Sequence, residues 1–111
     1  MEKALIVNVD GTHEVVEFEI GKSYDLLRNA VEGWIECVSL GNADLWLNEE
    51  GKLIGLPIND FATRLFAQRF GAVDLIVGNV VLTGGADEEG DTVGLDAVSY
   101  THLTLPTILL V

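Results

Sequence analysis

A chain of 111 residues makes one domain, and a hydrophobic fraction of 49% is enough for one compact core. Its 18 acidic and 6 basic residues give a formal net charge of −12, which argues for solubility and against binding nucleic acid or anionic membrane. Apolar runs throughout exclude an acidic disordered chain, and the single cysteine, Cys37, excludes an intramolecular disulfide.

The chain opens Met1-Glu2-Lys3 and enters an apolar, β-rich run over 4–9. There is no basic n-region and no long apolar h-region, so a cytoplasmic setting is expected. No apolar stretch approaches the roughly 20 residues that cross a bilayer. Asp10-Gly11 separates this run from a second one over 13–20, a strong hairpin signal. In the second run Val16, Phe18 and Ile20 alternate with Glu17 and Glu19, so one face is buried and one is wet.

Gly21-Lys22 breaks the strand, and Ser23 can cap a helix. Tyr24, Leu27, Val31 and Trp34 recur at helical spacing, and Gly33 ends the helix. Residues 34–40 re-extend, with Cys37 packed in the strand as a small hydrophobe. Gly41-Asn42 turns the chain into a strand around Leu45-Trp46-Leu47. An acidic turn over 48–52 leads through 53–58 to a second helix, capped by Asn59 or Asp60 and stopped by Gly71. Its apolar stripe is Phe61, Leu65, Phe66 and Phe70, and Arg64, Gln68 and Arg69 face out. Residues 73–82 read as a long central strand bent at Gly78, 84–91 as a turn and 92–95 as a short last strand. The order β-β-α-β-β-α-β-β predicts an α+β fold, a mostly antiparallel sheet with two helices on one face.

The composition breaks after Asp96: residues 98–111 contain no acidic or basic side chain. Residues 98–107, Val-Ser-Tyr-Thr-His-Leu-Thr-Leu-Pro-Thr, resemble the translated adapter of transposon-based sequencing libraries residue for residue. The expectation is therefore a single natural domain over 1–97, of metagenomic origin, followed by a non-native tail over 98–111 that carries no functional weight.

No catalytic signature is present. Carboxylates and a glycine in Asp87-Glu88-Glu89-Gly90-Asp91 suit a hard cation, but the alternating order of a calcium loop is missing, and a solvated turn is expected. His13 and Cys37 cannot supply a zinc site or a nucleophile with its base. No metal and no cofactor are expected. All six bases precede Gly71: Lys3, Lys22, Arg28, Lys52, Arg64 and Arg69. Arg64 and Arg69 share the second helix, with Asn59 and Thr63 in its first turns. A helix N-terminus with nearby arginine is a candidate anion site. Lys52, Asn59, Thr63, Arg64 and Arg69 are thus the candidate ligand-binding residues, and Trp46 and Phe70 the candidate wall, against surface pairing of the arginines as the alternative.

The stretch from Asn48-Glu49-Glu50-Gly51-Lys52-Leu53 through Gly55-Leu56-Pro57 to Asn59, Ala62 and Thr63, followed by Asp74-Leu75-Ile76-Val77-Gly78-Asn79, resembles domain of unknown function 3846. Asp10-Gly11 and Gly90-Asp91 fit the same pattern, so the resemblance covers residues 1–96. It implies a short accessory protein of phages, plasmids or bacteria without a settled activity. Three functions compete. The first is a homo-oligomeric phage anti-defence protein that sequesters a nucleotide-derived host signal without catalysis. The second is an acidic inhibitor or DNA mimic that occupies a host protein, through Glu14, Glu17, Glu19, Glu49, Glu50 and the loop over 87–91. The third and weakest is a hydrolase. The first implies an anionic nucleotide-like ligand in the host cytoplasm.

Overall fold

In a computed structural model, residues 1–95 are described. The boundary at 97 and the segment over 98–111 lie outside them. The elements are β1 (Glu2–Val7), β2 (His13–Phe18), α1 (Tyr24–Val31), β3 (Ile35–Ser39), β4 (Asp44–Asn48), α2 (Asp60–Phe70) and β5 (Val80–Thr83). They form a five-stranded sheet in the order β2-β1-β5-β4-β3, and every pair is antiparallel. The fold is α+β, as the hydrophobic pattern predicts.

Asp10-Gly11 makes the β1–β2 hairpin. The Asn8 N–H donates to the Thr12 carbonyl at 2.8 Å, and the Asp10 carboxylate accepts from the Thr12 amide and hydroxyl. Those two bonds hold Asp10 below the usual carboxylate range.

The helices do not share a face of the sheet. Leu5 and Val7 of β1, Leu45 of β4 and Val80 and Leu82 of β5 pack with Phe61, Ala62 and Leu65 of α2. Ala4, Phe18 and Val81 pack with Leu27 and Val31 of α1, backed by Ile6, Val16 and Trp46. Neighbouring residues on one strand point to opposite faces, so the two clusters are two layers and the sheet lies between the helices. This corrects the one-face expectation. It explains why all four residues of β5 are buried.

Two strand expectations are also corrected. Of 73–82, only Val80 onward joins the sheet, because Val73 and Leu75 are exposed and the chain bends at Gly78, whose φ is +79°. Residues 92–95 make one isolated bridge, Ala86 to Thr92, and then cross β1, where the Leu95 N–H donates to the Lys3 carbonyl at 2.8 Å. Cys37 does lie in β3, but it is exposed.

Candidate functional site

The register sets β1's C-terminal end, the start of β5 and the end of β4 at one end of the sheet. Two irregular segments meet there, 49–58 and 72–79. They cannot use a strand ladder, so side chains satisfy their backbone groups. Asn59 is the main clasp. Its Oδ1 accepts from the Ala62 amide, capping α2, while its Nδ2 donates to the carbonyls of Val7 at 3.1 Å and Gly78 at 3.0 Å. The Thr63 hydroxyl accepts from the Ile76 amide at 2.9 Å and donates to the Ile76 carbonyl at 3.3 Å. Asn48 holds the far side. Its Oδ1 accepts from the Glu50 amide, and its Nδ2 donates to the Val31 carbonyl at the end of α1.

These clasps frame a cleft of about 320 Å³ between the α2 face of β3 and β4, the helix itself and the returning segment. Val38, Leu47, Phe66, Ile76 and Val77 make its apolar walls, and Leu53 and Leu75 stand at its mouth. Around it lie Glu36, Glu49, Asp74 and Lys52. The Lys52 ammonium is paired to Asp74. That bond, with the Leu75 amide, holds the Asp74 carboxyl below its usual range. Leu53 is 86% exposed and Leu75 50%, and Ile54 and Val73 are exposed beside them. Apolar walls with a few charged groups are the common form of a binding site, here at the small end of the usual size range.

The candidate ligand residues do not converge. Lys52 lines the cleft and is already paired. Asn59 is buried, and its oxygen and both its donors serve the protein. The Thr63 hydroxyl is likewise committed to Ile76. Arg64 and Arg69 are both exposed on α2. At about 100° per residue they project roughly 140° apart, and Arg69 lies beside Phe70, 5.2 Å from its ring centre. Of the candidate wall, Trp46 belongs to the α1 side, where its Nε1 donates to the Thr83 hydroxyl. Phe70 stacks on Phe66 at 4.8 Å and is half exposed. Sequence reasoning missed Glu36, Val38, Leu47 and Phe66 as the cleft's lining. The signal was the strand alternation that sets Glu36 opposite Leu47 and Val38 opposite Leu45.

The acidic residues do not form one face either. Glu14 pairs across from Ile6 and Glu17 from Lys3, so they point to opposite faces of β2. Glu49 and Glu50 sit at the cleft end, and the turn over 87–91 follows β5 at the other. In that turn the Asp87 carboxylate accepts from the amides of Glu89 and Asp91. One oxygen each of Asp87, Glu89 and Asp91 falls within 4.8 Å of the others. These are three ligands where a calcium ion takes about six to eight, which fits a solvated turn. His13 is exposed beside the hairpin, its Nδ1 3.2 Å from the Gly11 carbonyl. Among the described residues no helix is long and apolar enough to cross a membrane.

Residues 1–104 match the family model described as domain of unknown function (DUF3846), and the chain belongs to that family. The match includes residues 98–104 of the segment read above as foreign. No curated protein and no solved structure matches the chain.

Proposed function

We propose that this member of the family is a non-catalytic binding protein whose cleft takes a basic, apolar-anchored segment of another protein. One observation carries this reading. The cleft's apolar walls are surrounded by three carboxylates and one ammonium, and that ammonium is already spent on a carboxylate. A site of this kind attracts lysine or arginine flanked by apolar side chains and repels a phosphate. In the phage or plasmid setting that the resemblance implies, the partner would be a host protein and the effect inhibition by occupancy.

The nucleotide-sequestering reading has one observation in its favour. Lys52 stands at the mouth of a cleft with Phe66 in its wall, and a phosphate that displaced Asp74 would gain an ammonium partner. It needs at least one further cation, from a second subunit.

The two readings separate in one titration series. Fluorescent blocked peptides of lysine-leucine, glutamate-leucine and serine-leucine composition are followed by anisotropy, with cyclic oligonucleotides assayed by depletion and by release on heating. The expected result is binding of the lysine peptide alone. It weakens several-fold between about 50 and 500 mM salt and is lost in a Glu36→Lys/Glu49→Lys variant. Depletion of a nucleotide with intact release would establish sequestration instead, and turnover would revive a hydrolase. Equal binding of the three peptides would overturn the charge argument.

A further inference from the structure

β3 is an edge strand whose single charged side chain, Glu36, faces the cleft. The sheet ends with it, and among the described residues no strand pairs on its outer side. Its sequence, Ile-Glu-Cys-Val-Ser, has no lysine, proline or glycine. Its five residues pair with β4 in unbroken register, so no bulge twists it away. Such an edge offers a row of free backbone donors and acceptors to another extended chain. The opposite edge differs: β2 carries Glu14 and Glu17, one on each face.

This edge is also one wall of the cleft. Glu36 and Val38 point from β3 into it, beside Leu47 and Phe66. Directly before β3, Trp34 is 54% exposed under the Arg28 guanidinium, which lies 4.0 Å from its ring centre. Exposed Trp and Arg are the residue types that dominate binding energy at interfaces.

We infer that the partner segment binds by strand addition: it pairs antiparallel to β3 as a sixth strand and directs alternate side chains over the cleft. This rests on the proposed reading of the cleft and specifies how the segment lies. The occupant follows from charge and period. Side chains on the cleft face meet Glu36, Glu49 and Asp74 together with apolar walls, so basic and apolar residues are favoured there. Side chains two positions apart share that face. The recognised pattern is therefore an extended segment with lysine or arginine at alternate positions. A second copy of this chain fits less well. Its own edge strand would bring another Glu36 to an acidic rim, on a molecule of net charge −12.

The test uses the full chain and two blocked peptides of alternating lysine and valine. They are identical except that one is N-methylated at alternate residues, which removes the backbone donors of one edge and keeps every side chain. Losing two or more backbone hydrogen bonds is expected to weaken binding at least roughly tenfold. The N–H groups of Glu36 and Val38 face β4, so it is amide exchange at Ile35, Cys37 and Ser39 that should slow, and in the presence of the unmodified peptide only. Equal affinity of the two peptides would overturn strand addition and leave the acidic cleft standing. Failure of both peptides, where the lysine-leucine peptide binds, would also remove strand addition alone. If no basic peptide binds, the reading of the cleft falls too. Protection of Ile35, Cys37 and Ser39 before any peptide is added would overturn the inference by assigning the edge to a second copy or to this chain's own C-terminal segment, and light scattering tells those two apart.

Discussion

The two helices cover opposite faces of one sheet, and they are fastened to it in different ways. α1 is held by apolar packing and, at its C-terminal end, by the Asn48 amide donating to the Val31 carbonyl. Ser23 makes no side-chain cap bond, and the helix ends on Glu32, a non-glycine residue at φ +61°. α2 is held by apolar packing and by a polar clasp at its N-terminus, Asn59 with Thr63. The difference follows from what each helix adjoins. α1 leads through a short turn into the β3–β4 ladder, and Asn48 at the end of β4 takes the Val31 carbonyl. α2 stands between two irregular segments whose carbonyls and amides need side-chain partners. Those same segments, freed from the sheet, make the cleft. The site exists where regular structure stops and polar side chains take over its hydrogen bonding.

The clasp is the sharpest place to break the comparison. Asn59→Ala removes a helix cap and leaves the Val7 and Gly78 carbonyls without that donor. The expected loss is roughly 3 kcal/mol of stability in urea unfolding, the sum of a cap near 1 and the cost of buried unsatisfied groups. Ligand binding at the cleft should fail with it, even at temperatures where the variant remains folded. A loss below about 1 kcal/mol would mean that the segment over 76–78 is held by packing alone.

At α1 the expected effects are smaller and one has the opposite sign. Glu32→Gly should raise stability by up to about 1 kcal/mol, because glycine takes a left-handed helix end without the steric cost. Ser23→Ala should change it by a few tenths at most, since no side-chain bond is lost. A loss near 1 kcal/mol at Ser23 in thermal unfolding would show that it caps after all and that the two helix starts are alike.

The same contrast explains what was legible in the sequence. Asp10-Gly11, the Asn59 cap and the Gly71 stop are local signals, and each marks the boundary expected of it. The sequence pattern places a helix end at Gly33, but the helix stops at Val31. What requires glycine at 33 is distant: a Cβ there would lie 2.6 Å from the Asn48 Nδ2. The run over 73–82 misled because exposed Leu75 belongs to the cleft mouth, with exposed Val73 beside it, and neither joins a ladder. Exposed apolar residues at a site are indistinguishable by period from buried ones in a strand. The helices' opposite faces were hidden for another reason. An apolar run such as Val80–Leu82 shows burial on both sides only once the strand is known to be central. Lys52 was legible as a candidate and lines the cleft; Asn59 was legible as a cap, but its bonds to Val7 and Gly78, and those of Thr63 to Ile76, were not.

The last expected effect concerns the reactivity of the edge strand itself. Cys37 is the midpoint of β3 and would ordinarily be the most reactive group on it. Although the residue is exposed, partial desolvation of its sulfur, with the Asp44 carboxylate adding to it, pushes the thiol up to about 11. A free thiol near 9 would hold about a hundredfold more thiolate at pH 8, and the thiolate is the nucleophile. Alkylation of the folded protein by iodoacetamide should therefore be slower than that of the unfolded chain by up to about two orders of magnitude, and should climb with pH past 9. Because Asp44 is the second cause and burial the first, Asp44→Asn should recover only a minor part of that rate. Burial also raises the Asp44 carboxyl itself. Its ionisation then opposes folding: the stability it withholds above its folded pKa returns as the pH falls through that value, and Asp44→Asn should make the protein slightly more stable at neutral pH. Rapid alkylation at pH 8 would show that neither desolvation nor Asp44 holds the thiol up.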